Sequence, residues 1–373
     1  MKIKLIAIAS LVLVCFLGGG CAHTRDFDNH LRSIVKPYGF SILKWESRAI
    51  PQEAYQWIFG GDEEIDDEIH VVMEYFASVE RGAASADTVE RIIEEQIREA
   101  LAQEGIFNPV DEYIRLKVNF PPLNFKLEKP PHLLVISPRD RIASMREIML
   151  QPDISLKEIE DIEAEVDRLG VSSLVVELGG LAAYPSFVTS DADLRFTIDA
   201  ATEEWVHQYL VFKPLGFLYF LDLIGVSRNY EIATMNETVA SMVSKEVGSS
   251  LCRKYYPQYE NGAYREAAPE SEFNREMREI RRAVDQYLAQ GEIERAEEFM
   301  EQKQQYLASM GYYIRKLNQA YFAFHGTYAD SPTSISPIGV ELRELRGQSA
   351  SLKDFLDTAA ALTSRQDLQG IIK

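Results

Sequence analysis

Glu203, Glu204 and His207 fall in the run Glu203-Glu204-Trp205-Val206-His207, and Glu237 falls in Asn236-Glu237-Thr238-Val239-Ala240. Residues four apart leave the same face of a helix, so Glu203 and His207 point together. Glu204, three before His207, sits at the flank of that face. This spacing lets two side chains meet one cation while a carboxylate between them touches water held there. A catalytic zinc of this kind takes three protein ligands and keeps one position open. The competing reading is a surface helix with adjacent carboxylates and an incidental histidine, since Glu-Glu-x-x-His arises by chance in many helices.

The elements that must position these residues are partly legible. From Ala200 onward the pattern is almost wholly helical, with a second helix predicted over Asn236 to Val247. Before it, strand and helix alternate. Val89, Ile92, Ile93, Ile97, Ala100 and Leu101 fall at helical spacing within Thr88 to Gln103. Tyr113 to Phe120, His132 to Ser137 and Ser173 to Leu178 read as strands, and Ser155 to Leu169 as an amphipathic helix capped by Ser155. Asp62 to Glu68 is acidic and reads as surface. Val211 to Val226 is apolar but broken by Lys213, Pro214, Gly216 and Asp222, which predicts a buried helix pair or loop rather than a membrane span. Ser271 to Phe324 reads as a long helical hairpin broken at Gly291, and Ser351 to Ala361 as a short helix. The expected fold is therefore α+β and mostly helical, with a small sheet before the site-bearing helix and a C-terminal hairpin.

Four pieces in order carry a resemblance. They are Gly179-Gly180-Leu181-Ala182-Ala183-Tyr184-Pro185, Glu204-Trp205-Val206-His207-Gln208-Tyr209-Leu210, Asn236-Glu237-Thr238-Val239-Ala240 and Leu317-Asn318-Gln319-Ala320-Tyr321. Together they resemble the gluzincin, or thermolysin-like, metallopeptidases, and more closely bacterial predicted aminopeptidases and their exported homologues. The likeness spans roughly residues 130 to 360. It implies a zincin-like fold and hydrolysis of a peptide or protein substrate, with a sheet edge open to an extended peptide. It implies that Glu204 is the general base and that His207 and Glu237 are zinc ligands. Glu203 departs from the family pattern, which has His there. A carboxylate can bind zinc, but three glutamates around one site leave it negative and favour harder cations such as manganese. A chain that binds no metal, kept as a scaffold or binding lipoprotein, is the alternative. By the same resemblance His325 and Tyr328 are candidates to hydrogen-bond the reaction's oxyanion. The plainer reading is a helix-end histidine and a packed tyrosine. Asp191 and Asp193 are either partners of the site or polar residues at a helix start.

The rest of the composition bounds the setting. A net charge of -19 argues against nucleic acid and against a broad electrostatic hold on anionic lipid. Lys2 and Lys4 form a short positive region at the start of an apolar run from Ile3 to Leu17, and Gly18-Gly19-Gly20-Cys21 follows. Small residues directly before a cysteine resemble a bacterial lipobox, which implies cleavage before Cys21, acylation of its thiol and a place in the cell envelope. Leu17 stands one place further from the cysteine than is usual, and a plain signal anchor is the competing reading. The predicted organisation is a signal peptide over 1–20, a tether and α/β region over 21–130, and a metallopeptidase-like region over 131–373. Cys252 lacks a neighbouring His and reads as a small buried residue rather than a nucleophile.

Overall fold

The computed structural model describes residues 22–42, 44–47, 67–77, 85–110, 119–260 and 271–372. The leader, Cys21, most of the acidic run (62–66) and most of the strand expected from Tyr113 (113–118) lie outside the described residues. In chain order the elements are α1 (Ala22–Val35), α2 (Glu68–Ala77), α3 (Ala86–Gln103), β1 (Phe125–Leu127), β2 (His132–Pro138) and β3 (Arg146–Leu150). Then come α4 (Leu156–Asp167), β4 (Val171–Glu177), β5 (Gly180–Leu181), β6 (Ser186–Val188), α5 (Leu194–Leu210), α6 (Pro214–Leu223) and α7 (Tyr230–Tyr255). The chain ends in α8 (Glu272–Ala289), α9 (Ile293–Ser309), α10 (Gln319–His325), α11 (Pro337–Gln348), α12 (Leu352–Ala360) and α13 (Arg365–Ile371). The fold is α+β and mostly helical.

There are two small sheets among the described residues, not one. The first is antiparallel, ordered β3-β2-β4. Side chains alternate across a strand, so Leu134 and Ile136 of β2 meet α1 and α4, while Leu133 and Val135 meet α10 on the other face. The outer edge of β4 is closed by side chains. Glu163 accepts from the Val175 N–H (2.6 Å) and Asp167 from that of Ser173 (2.9 Å). Arg315 donates to the Val175 carbonyl (2.8 Å) and Asn318 to that of Ser173 (2.8 Å).

The second sheet, β1-β6-β5, pairs β1 with β6 in parallel and β5 with β6 antiparallel. Its strands of two and three residues are too short to show a period. Because β1 pairs with β6, the segments on either side of residue 130 share one sheet. The free edge of β1 is covered by α3, where Glu94 accepts from the Phe125 N–H (3.0 Å) and Glu90 from that of Leu127 (2.7 Å). The largest core joins this sheet to α2, α3, α5, α7 and the C-terminal helices α11 to α13.

Three expectations need correcting. The hairpin's second helix stops at Ser309 rather than Phe324. Gly311 takes φ +91, a left-handed conformation that ends the helix, and Asn318 caps a separate α10 by accepting from the Tyr321 N–H (2.9 Å). The segment from Val211 to Val226 forms a single helix, α6, started by Pro214. It is only partly buried: Leu215, Gly216 and Asp222 are covered, while Phe217 is 52% exposed. The site-bearing helix begins at Leu194, six residues before Ala200, where Asp193 accepts from the Phe196 N–H (2.8 Å). Asp193 is thus the helix cap. No helix among the described residues is long and apolar enough to cross a membrane.

Candidate metal centre

Helices α5 and α7 pack antiparallel. His207 meets Asn236 at one end, while Arg195 reaches the Lys245 carbonyl (3.0 Å) and the Ser249 hydroxyl (3.0 Å) at the other. That pairing brings Glu203 and His207 of α5 against Glu237 of α7. One ligand atom from each lies within 4.8 Å of the others. His207 Nε2 is 3.6 Å from Glu237 Oε2, and each of these two side chains is 11% exposed. Ligands about 2.1 Å from a tetrahedral zinc are roughly 3.4 Å apart, so this pair already stands at ligand spacing.

The histidine is oriented for that role. Its Nδ1 is 2.8 Å from Asn236 Oδ1. A carbonyl oxygen only accepts, so with Oδ1 on this side the neutral ring is the Nδ1–H tautomer, whose Nε2 lone pair faces Glu237. The other side of Glu237 accepts a short hydrogen bond from the Tyr219 hydroxyl of α6.

Burial, and then Glu237, push the Glu203 carboxyl up to about 8, with Lys245 partly offsetting them. Burial, Glu203 and Glu237 hold Glu204 well above the usual carboxylate range. Burial raises Glu147 of β3, which Glu237 and Asp222 push further up, against the Ser144 hydroxyl (2.5 Å) and Arg228. Crowded buried carboxylates of this kind are relieved by a cation. The donor set of two carboxylates and one imidazole suits zinc or manganese, so these residues fit a divalent metal.

Glu204 lies beside the cluster and over β5. A Cβ built on Gly180 would stand 2.4 Å from Glu204 Oε1, so only glycine leaves that carboxylate its place. The Thr189 N–H donates to the Gly179 carbonyl (2.9 Å), which makes Gly180 and Val188 the non-hydrogen-bonded pair of the ladder. The Gly180 N–H and C=O therefore point away from β6, along the outer edge of the sheet, next to Glu204.

Tyr328 belongs to the same neighbourhood. Its hydroxyl is raised well above the usual range by burial, and then by Glu237, Glu203 and Glu204. The loop carrying it is stitched to one face of α7. Thr238 donates to the Thr327 carbonyl (3.2 Å) and accepts from the Ala329 N–H (3.0 Å). Asp330 accepts from Ser241 (3.0 Å) and pairs with Lys245 (2.5 Å). His325 is placed differently. Its ring packs at a tilt against Tyr321, with ring centroids 4.2 Å apart, and burial alone lowers it to about 4, with no contribution from the carboxylates.

Trp205 is core and donates to the Pro121 carbonyl (2.7 Å). Asp191 is exposed. Cys252 is buried, with its thiol pushed up to about 11. Sequence reasoning missed Tyr219, hidden in an apolar stretch, and the part played by Asn236, although its place directly before Glu237 was a usable signal. No protein-family model, curated protein or solved structure matches this chain.

Proposed function

We propose that this chain is a zincin-like metallopeptidase, tethered to a bacterial membrane by lipid on Cys21. The observation that carries the reading is the convergence of Glu203, His207 and Glu237, with Glu204 between that cluster and the open edge of β5. Zinc or manganese held by the three residues supplies Lewis acidity to a peptide carbonyl and to water.

The chain's own residues do the rest. An extended peptide pairs with the outward N–H and C=O of Gly180, adding a strand to the sheet. This edge is the one beside Glu204, whereas the outer edges of β1 and β4 are occupied by side chains. Glu204 takes a proton from the attacking water and passes it to the leaving amine. Burial beside Glu203 and Glu237 raises its affinity for a proton, which favours taking one from water. Tyr328 donates a hydrogen bond to the oxyanion that develops on the carbonyl. Asn236 fixes the His207 ring, and Tyr219 fixes Glu237.

A second reading rests on Glu203. With no cation, a carboxyl at about 8 is mostly protonated at neutral pH, which removes one donor and leaves a scaffold or binding lipoprotein.

The two readings separate by assaying the full-length protein against a peptide library, with and without chelator. The peptidase reading predicts chelator-sensitive cleavage that falls by at least about 100-fold in Glu204→Gln. It also predicts a loss in Gly180→Ala, where the new methyl displaces the Glu204 carboxylate while thermal stability changes little. Cleavage that survives both chelator and Glu204→Gln would sink it.

A further inference from the structure

A cleft of about 460 Å³ opens between α8, the loop after α10 and the start of α11. Arg278 and Arg282, one turn apart on α8, and Arg343 on α11 supply its charge. Ser331, Ser334 and Ser336 supply hydroxyls, and Pro332, Ile335, Pro337 and Val340 an apolar wall. In a chain of net charge -19, three cations around one cleft stand out against the field of the molecule.

Four other arginines are each held by a carboxylate. Arg139 pairs with Glu297, Arg315 with Glu163, Arg346 with Glu246 and Arg365 with Glu341. Arg282 and Arg343 have no carboxylate within ion-pair distance among the described residues. Arg278 donates to the Pro332 carbonyl, which fastens α8 to the loop that walls the cavity. The acidic residue in the lining, Asp330, is met by Lys245 and Ser241 through its Oδ2, so one cation offsets its charge while its Oδ1 has no hydrogen-bond partner.

We propose that this cleft binds a phosphate monoester. Guanidinium groups from two helices match the oxygens of a dianionic phosphate in a forked geometry. The volume exceeds what inorganic phosphate fills, and the proline, isoleucine and valine wall suits the carbon body of an ester. The phosphate comes either from a soluble ester or from a phospholipid headgroup. The site is separate from the metal cluster, although the loop at its wall also carries Tyr328.

The test uses full-length protein with glycerol 3-phosphate as the soluble probe, followed by calorimetry, and with glycerol as control. Vesicles of phosphatidylcholine with and without phosphatidate form the lipid arm. The expected result is saturable one-to-one binding of the phosphate and none of glycerol. Loss of either arginine, in Arg282→Ala or Arg343→Ala, weakens it about ten-fold, with an unchanged melting temperature. Uptake by phosphatidate vesicles that depends on the same arginines assigns the site to a lipid headgroup, and binding of the soluble probe alone assigns it to a free ester. No saturable binding in either arm, or binding left unchanged when Arg282→Ala and Arg343→Ala are combined, overturns the proposal.

Discussion

Asn236 shows how much of the centre rests on a residue that contacts no substrate. Its carbonyl oxygen sets the tautomer and the angle of His207. Asn236→Ala leaves the Nδ1–H without its acceptor in a site where both residues are largely buried. Metal affinity is expected to fall 10- to 100-fold, read by competition with a chromophoric chelator, while far-ultraviolet circular dichroism stays unchanged. Unaltered affinity would show that the hydrogen bond orients nothing. Glu203, Glu204 and His207 were legible because a four-residue spacing is a property of the helix itself. Tyr219 and Tyr328 were harder: each reaches the cluster from another element, and no local pattern encodes that arrival. His325, equally prominent in the sequence, ends α10 just before the loop that delivers Tyr328 and packs against the Tyr321 ring instead.

At the scale of elements, acidic and basic side chains close strand edges that would otherwise leave backbone groups unpaired. Glu94 on α3 is the sharpest case. Burial, outweighing its hydrogen bond from Phe125, raises it from 4.5 to about 8. A carboxyl raised in the folded state binds more protons there than in the unfolded chain. Its contribution is therefore complete below about pH 4.5 and is lost as pH rises through about 8. Glu94→Gln keeps an acceptor for Phe125 and removes the titration. Denaturant unfolding at pH 5 and pH 8 is expected to show a smaller loss of stability in the variant, by on the order of 2 kcal/mol. An identical pH slope would contradict the assignment. Arg315 closes the edge of β4 and holds both Glu163 oxygens, at 2.9 and 2.6 Å. Removing it in Arg315→Ala leaves a carboxylate that is 4% exposed short of its main partner, at an expected cost of about 3 kcal/mol in urea unfolding. A change below about 0.5 kcal/mol would show that Lys316, 3.5 Å from the same Glu163, already suffices. The longer elements, such as α3, α4 and β2, follow their hydrophobic periods. The second sheet does not, because strands of two or three residues have no period and are made by pairing with distant segments.

At the scale of the whole molecule, the α5–α7 pair, α6, β5 and the loop after α10 meet at one cluster. The α+β class was legible from alternating strand and helix patterns followed by helices alone. The meeting of Glu203, His207 and Glu237 was legible only as a possibility of spacing, because the antiparallel packing of α5 on α7 is set by the buried core. The distinction between a metal centre and a crowded carboxylate site turns on one property. Full-length protein, stripped with chelator and titrated with zinc and with manganese, should take up one equivalent of one of them, and His207→Ala should abolish that uptake. Failure of the intact chain to bind either ion, or uptake that persists unchanged in His207→Ala, would contradict the account.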